Sequence, residues 1–403
     1  MSTEISATAI ANDRPNLCRG GLPAASMAGF TPPAMPTSPR STRRIFPFLC
    51  PLLAIVFALA PARGENAPKH TYQTVRVSEG IVAFIASESN TGIVSGNCIA
   101  VIGDNGVLVV DSTSFPSHAR QIIAEIKKMT NQPVRFLVHT HWHPDHLMGD
   151  GEFRAAFPDV AVISTAFTQK AVTELATKYI QGNAEQGAAY ADAMRKQIQD
   201  GKAESSKPLT DADRKYLNDY VRSIEFAVPE YKQYKTVVPN IAFNDSLNIN
   251  LGKREVQLLF LGRGNTSGDA IIFLPDAKTV MTGDLIVWPT PYSYGSFLSE
   301  WIQTLAKVKS LGATTIIPGH GPVMHDYAYF DQVSAALQYV QTQVRSAVAQ
   351  HLTLEETRKK VDLTDLQKKF CGTDHDRELA FKVGFTDQSI ERAYAEAKFA
   401  AED

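Results

Sequence analysis

The sequence predicts a layered α/β fold with mixed sheets. Three observations carry this. Short apolar strands come in hairpin-linked runs. Each run is followed by a segment with helical spacing. A helical insert and a helical tail then interrupt and close the pattern. A doubly wound parallel sheet fits less well, because hairpins demand antiparallel neighbours.

In chain order, Thr74–Val77 alternates and Ile81–Ala86 is an apolar run. Cys98–Gly103 and Val107–Val110 are two strands joined by Asp104-Asn105-Gly106, a strong hairpin turn. The second of these ends at Asp111. Ala119, Ile122, Ile123 and Ile126 fall on one helical face within Ser117–Met129. Val134–Val138 reads as a buried strand, and Val160–Ile163 as another.

Residues 166–235 change in character, being rich in Ala, Gln, Lys and Glu, and they predict an insert of two or three helices. Strands return at Asn240–Phe243, Leu247–Leu251, Val256–Leu261 and Ala270–Leu274, and Val280-Met281 ends at Gly283-Asp284. A helix over Ser296–Leu311 and a strand over Thr315–Ile317 follow. In the tail, Val333, Leu337, Val340, Val344 and Val348 form one apolar stripe. Thr353 with Glu356, and Thr364 with Gln367, are spaced as capping boxes. The expected organisation is an N-terminal extension over 1–64, a main α/β domain over 65–330 and a helical tail over 331–403.

Composition narrows the function. Of 403 residues, 44% are hydrophobic and 20% charged, enough apolar surface for a sizeable core. With 40 basic and 42 acidic residues there is no positive field to hold nucleic acid. Four cysteines exclude a disulfide scaffold and a cysteine-based zinc finger. Arg43-Arg44 followed by the apolar run Ile45–Ala60 reads as an export signal, with Ala60-Pro61-Ala62 or Ala62-Arg63-Gly64 as the cleavage site. The arginine pair resembles a twin-arginine signal; an ordinary signal peptide and a retained anchor stay open as alternatives. Removing residues 1–62 takes five arginines and two acids, leaving 35 basic and 40 acidic residues, a net charge of -5. The expected protein is exported to the periplasm or secreted, is not inserted in the membrane after signal removal, and acts on a small molecule. Cys98 and Cys371, the cysteines left, are expected as buried free thiols rather than a bridge.

The chemistry sits in Val138-His139-Thr140-His141-Trp142-His143-Pro144-Asp145-His146. Four of the ten histidines fall within eight positions. A strand running into a loop presents side chains two apart on one side, so His141 and His143 can share one metal. Asp145 and His146 follow where the chain turns and can bind a second. Imidazoles with a carboxylate suit zinc, with iron or manganese as alternatives. His139 reads as a packed histidine or a donor behind the ligands.

These residues resemble the metallo-β-lactamase-fold hydrolases. The match rests on His141-x-His143-x-Asp145-His146, then Gly283-Asp284 after a strand, Pro318-Gly319-His320-Gly321, and Asp111 at a strand end, spanning about residues 71–330. The resemblance implies a four-layered αββα sandwich with one or two zinc ions at an edge of its sheets. It implies Asp284 as a bridge between metals, His320 with Asp145 and His146 at the second, and Asp111 as an acid beneath the histidine loop. One position departs from the pattern. Where the family carries a histidine, this sequence has Asn265, a weaker ligand or only a loop former, so the two sites are expected to differ in affinity.

The implied reaction is hydrolysis by a metal-activated water, with Asp145 orienting or deprotonating it. An aspartate at the bridge resembles the glyoxalase II and lactonase branch, whereas export suits a β-lactamase. The expectation is therefore an ester-, thioester-, lactone- or amide-like substrate, with a β-lactam or a non-catalytic metal-binding accessory protein as alternatives. Trp288, Tyr292, Tyr294 and Trp301 are candidates for a cleft wall. His325, His351 and His375 read as surface residues.

Overall fold

The computed structural model describes residues 72–87, 94–202 and 208–402. The export signal expected over residues 43–62 lies outside these. No helix among the described residues is long and apolar enough to cross a membrane.

Twelve strands among the described residues form two sheets. The first has seven strands in chain order: β1 (Tyr72–Ser78), β2 (Ile81–Ala86), β3 (Cys98–Gly103), β4 (Gly106–Val110), β5 (Val134–Val138), β6 (Ala161–Thr165) and β7 (Ile241–Phe243). It is antiparallel from β1 to β4 and parallel from β4 to β7. The second has the order β12-β11-β10-β9-β8, built from β8 (Ser246–Asn250), β9 (Glu255–Phe260), β10 (Ala270–Leu274), β11 (Thr279–Val287) and β12 (Thr315–His320). Only β11 and β12 pair in parallel there. Both sheets mix directions only where a helix or long crossover supplies the return.

The layers follow from side-chain alternation. Ile81, Ala83, Ile99, Val101, Leu108 and Val110 share one core with Leu258, Ala270, Ile272, Met281 and Ile317, so these faces meet between the sheets. The intervening Val82, Phe84, Ala100, Val107 and Val109 turn the other way, onto Ala119, Ile122, Ile123 and Ile126 of α1 (Pro116–Met129) and Phe153 of α2 (Asp150–Ala156). On the far side, Ile271, Phe273, Val280 and Ile316 pack beneath Trp301, Leu305 and Val308 of a later helix. Inner strands such as β4 and β10 are apolar on both faces because each sheet is covered on both there, giving α, β, β, α in section.

The insert between β6 and β7 comprises α3 (Ala166–Ala171), a π-turn over Val172–Ala176, α4 (Thr177–Asp200) and α5 (Asp211–Tyr231). Thr210 and Asp213 form a capping box on α5. After β11 comes α6 (Leu298–Ser310), and the tail holds α7 (Ala328–Ala349), α8 (Leu354–Lys360), α9 (Thr364–Cys371), α10 (His375–Phe381), a π-turn over Lys382–Thr386, and α11 (Asp387–Glu402). The tail stripe Val333, Leu337, Val340 and Val344 is buried, with Val348 packed beside it, in the same core as the outer face of the second sheet. Burying one such side chain is worth about 1.5–3 kcal/mol, more than the about 1 kcal/mol of a helix cap, so packing rather than capping fixes these helices.

The capping box expected at Thr353 and Glu356 forms in full. The one expected at Thr364 and Gln367 does not. The Asp362 carboxylate takes the Thr364 N–H instead, at 2.9 Å, so the helix starts at Thr364 with Leu363 before it. Cys98 and Cys371 are buried free thiols, as expected.

Candidate metal centre

Strand ends from both sheets converge on one edge. The loop after β4 turns through left-handed backbone at Asp111 (φ 57°) and Thr113 (φ 76°), which is costly for a β-branched residue. The turn brings Ser112 N–H to the His146 carbonyl at 2.7 Å and so cradles the loop after β5. That loop also crosses to the second sheet, where Ala270 N–H donates to the Thr140 carbonyl at 2.7 Å. In β11 the pairing with β12 slips around Gly283, whose φ of 50° bulges the strand and turns Asp284 inward. Asn97 clamps the last segment: its Nδ2 donates to the Pro318 and Gly321 carbonyls, both at 2.9 Å, and its N–H donates to the Gly319 carbonyl at 2.7 Å.

Two groups of ligand-type atoms result. One holds Asp145, His146, Asp284 and His320; the other holds His141, His143 and Asp284. Asp284 belongs to both. Its Oδ1 lies 3.2 Å from His146 Nε2 and 3.3 Å from His320 Nε2, while its Oδ2 lies 3.7 Å from His141 Nε2. Asp145 Oδ2 sits 3.0 Å from His320 Nε2 and 3.3 Å from His146 Nε2.

Hydrogen bonding fixes which atoms face inward. Asp111 accepts the Thr140 N–H on Oδ1 and the Thr140 hydroxyl on Oδ2, each at 2.8 Å. A hydroxyl that donates there offers a lone pair to His141 Nδ1, 3.0 Å away, so His141 carries its proton on Nδ1. His146 Nδ1 lies 2.9 Å from Asp111 Oδ2 and donates to it. Both imidazoles therefore aim Nε2 at the carboxylates.

Charge makes the same point. Burial opposes a charged imidazole, yet Asp145, Asp284 and Asp111 outweigh it and hold His146 well above the ordinary histidine value. His320 is pushed up to about 9 by Asp284 and Asp145 against the same burial. Burial, then His146 and His143, press His141 well below it. Burial also lowers His143. Asp284 and Asp145 stay well below the usual carboxylate range, because the surrounding histidines overcome burial. Buried carboxylates crowded by imidazole nitrogens form a donor set that could hold a metal cation. His141 Nε2 is buried and has no hydrogen-bond partner among the described residues, as a metal ligand's inner atom would be. The residues fit a divalent metal.

The six strongest ligand candidates of the sequence, His141, His143, Asp145, His146, Asp284 and His320, are thus brought together. Asn265 is fully buried; its Nδ2 donates to the Tyr292 carbonyl at 2.9 Å and its Oδ1 has no hydrogen-bond partner among the described residues. Asp111 lies beneath the loop as expected. His139 faces away from the cluster, with Nε2 3.0 Å from Asp150 Oδ2, so it is a packed histidine in a buried ion pair. Tyr292 reaches the site, its ring 6.2 Å from that of His143, with Tyr294 6.4 Å beyond. Trp301 does not: it is core, donating Nε1–H to the Leu285 carbonyl. Trp288 packs against the same core beneath the Arg377 guanidinium. His325, His351 and His375 are exposed.

Sequence reading missed the Asn97 clamp, which nothing but a polar residue ahead of β3 signalled. It also missed the insert's contribution. Val172, Ala176 and Ile180 of the insert pack on Leu147 and Met148, the residues that follow His146, with Trp142 beside them. Tyr179 of α4 is half exposed and within electrostatic range of Asp145 and Tyr294. The insert therefore packs against the loop that carries the histidines.

The sequence profile of the metallo-beta-lactamase superfamily matches residues 91–320. A linear primary-alkylsulfatase from Pseudomonas sp. (strain ATCC 19151) is 23% identical over 270 residues, 64% of this chain and 48% of the relative. A metallo-beta-lactamase type 2 from Bacteroides fragilis is 26% identical over 139 residues, 33% of this chain and 53% of the relative. The chain spans about half the length of these curated relatives. Among solved structures, a metallo-beta-lactamase from Pontibacter korlensis is 17% identical with a TM-score of 0.46, covering 66% of this chain and 99% of that one. With the profile covering more than half of its length, the chain belongs to the metallo-beta-lactamase superfamily.

Proposed function

We propose that the protein is an exported zinc-dependent hydrolase that cleaves an ester-, thioester-, lactone- or amide-like bond in a small molecule. The observation that carries this reading is the divided Asp284 carboxylate, one oxygen facing His146 and His320 and the other facing His141. His141, His143 and Asp284 would hold one ion, and Asp145, His146, His320 and Asp284 the other. When bound, such ions lower the pKa of a water towards about 7 and polarise the oxygen of the scissile bond.

The chain's own residues supply the rest. Thr140 and Asp111 keep His141 and His146 in the tautomer that presents Nε2. Asp145, whose side chain keeps 19% of its surface open, would orient the attacking water. Trp142 and Tyr292, with rings 4.7 Å and 6.2 Å from that of His143, would orient an apolar substituent. Arg263, the base beside Asn265, is engaged by Glu300 and lies over the Phe297 ring, so it supports an uncharged scissile group better than an anionic one. A β-lactam is the second reading, favoured by the export signal expected in residues 43–62.

The test is a panel of p-nitrophenyl esters, an acyl thioester, a γ-lactone, a chromogenic cephalosporin and an alkyl sulfate, run on zinc-loaded protein and on His143→Ala. Hydrolysis of an ester-like member, lost in His143→Ala, is expected. Turnover that survives His143→Ala, or no turnover on any member, would sink the hydrolase reading.

A further inference from the structure

The loop between β11 and α6 is held from behind by the tail. Ser293, fully buried, donates its N–H to the Gly384 carbonyl at 2.8 Å, and its hydroxyl lies 3.3 Å from the carbonyls of Gly384 and Phe385. These carbonyls belong to the π-turn over Lys382–Thr386, a geometry that breaks the regular helical ladder and is found often at functional sites. A second tether is Arg392, whose Nε–H donates to the Ser296 carbonyl at 2.7 Å. Gly384 is buried, and a β-carbon there would stand 3.0 Å from Tyr292 Cδ2, so the Tyr292 ring rests on the bare backbone.

The same loop holds the Asn265 loop. Phe297 N–H donates to the Gly264 carbonyl at 2.8 Å, and Asn265 Nδ2 donates to the Tyr292 carbonyl at 2.9 Å. The second contact fixes the amide's orientation: a carbonyl only accepts, so the group facing it is NH2. Asn265 Oδ1 must then point elsewhere, and it is buried with no hydrogen-bond partner among the described residues. A buried amide oxygen left bare costs about 1–3 kcal/mol unless something meets it.

We propose that Gly384, Ser293 and the Tyr292 carbonyl are positioning residues for Asn265, setting its Oδ1 as an oxygen ligand that completes the His141–His143–Asp284 group. This rests on the metal-dependent reading above and deepens it. The helical tail then acts on the first metal position and not on the second, which takes no residue from the Asn265 loop.

The test titrates zinc into the full protein against a chromophoric chelator, with melting followed in parallel. Two unequal equivalents are expected for the natural chain. Asn265→Ala should weaken the weaker one about 10- to 100-fold and leave the tighter unchanged, while Asn265→His restores it. Gly384→Val, which pushes on Tyr292, should repeat this one-sided loss and add nothing in an Asn265→Ala background. Ser293→Ala, a milder change, should show a smaller loss of the same sign. In cobalt-substituted protein, Asn265→Ala and Gly384→Val should shift the visible bands alike. Two equivalents indifferent to Gly384→Val and Ser293→Ala, or weakened together by them, would overturn the proposal alone. So would a single equivalent unaffected by Asn265→Ala. A natural chain that binds no zinc would overturn the hydrolase reading and this proposal with it.

Discussion

The bare α-carbon of Gly319 lies against Asp284: a β-carbon on Gly319 would overlap Asp284 Oδ1 and come within 2.7 Å of the Gly283 carbonyl carbon. The carboxylate that both ligand groups share thus depends on a residue with no side chain. Gly319→Ala is expected to displace Asp284, with bound zinc and turnover falling together. Overpacking of this kind costs about 1–3 kcal/mol, so the variant should fold with a lowered melting temperature. Metal analysis of the folded variant checks this, and full zinc content would contradict it.

Asp111 serves two donors with one oxygen, the Thr140 hydroxyl and His146 Nδ1. Asp111→Asn offers one carbonyl oxygen and one donor in its place, so one contact must fail. Zinc affinity should drop about 10- to 100-fold, chiefly for the equivalent that His146 serves. Competition with a chelator reads this directly; unchanged affinity for both equivalents would refute it.

Acid should strip the metal. His320 sits up at about 9 and His146 well above its ordinary value, so both carry protons at neutral pH that a cation must displace. The sign follows: raised values mean competition below about 9, so affinity climbs as pH rises towards that value, about tenfold per pH unit for each proton displaced. Calorimetry at pH 8 in buffers of different ionisation enthalpy should show proton release on zinc binding. Equal affinities at pH 6.5 and 8.5 would argue against it.

The thiols give a check on the fold. Burial, with Glu378 adding to it, pushes Cys371 up to about 11, and burial holds Cys98 well above the usual thiol value. Neither should react with a disulfide reagent at pH 8 until the protein is denatured, when both should. Because the folded value is raised, the stability from a neutral Cys371 is complete below about 8.5 and is lost as pH rises through about 11. Cys371→Ala should flatten the alkaline arm of the stability curve, and prompt labelling of the native protein would count against the buried placement.

What was legible in the sequence was local. Runs such as Ile81–Ala86 and Val107–Val110 are apolar on both faces, so their strand character needed no partner to be seen. The spacing of His141, His143, Asp145 and His146 carried half of the site, because ligands on one loop converge through backbone geometry alone. What stayed hidden depends on approach between distant segments. Thr364 lost its box to a nearer rival, Asp362. Trp301 was indistinguishable from Tyr292 by composition, yet one is core and the other faces His143. Tyr179 gave no sign that its helix folds back towards Asp145.

The Asn97 clamp spans 221 positions to Pro318 and 224 to Gly321. On the ribosome, then, the amide that steadies the His320 turn is made long before the turn exists, and Gly384 is made later still. A chain halted short of His320 has its first histidines but not the last ligand of the second group, and one halted short of Gly384 has these ligands but not the tail behind Tyr292. The second ligand group is thereby complete before the first, whose Asn265 waits for the tail that positions it.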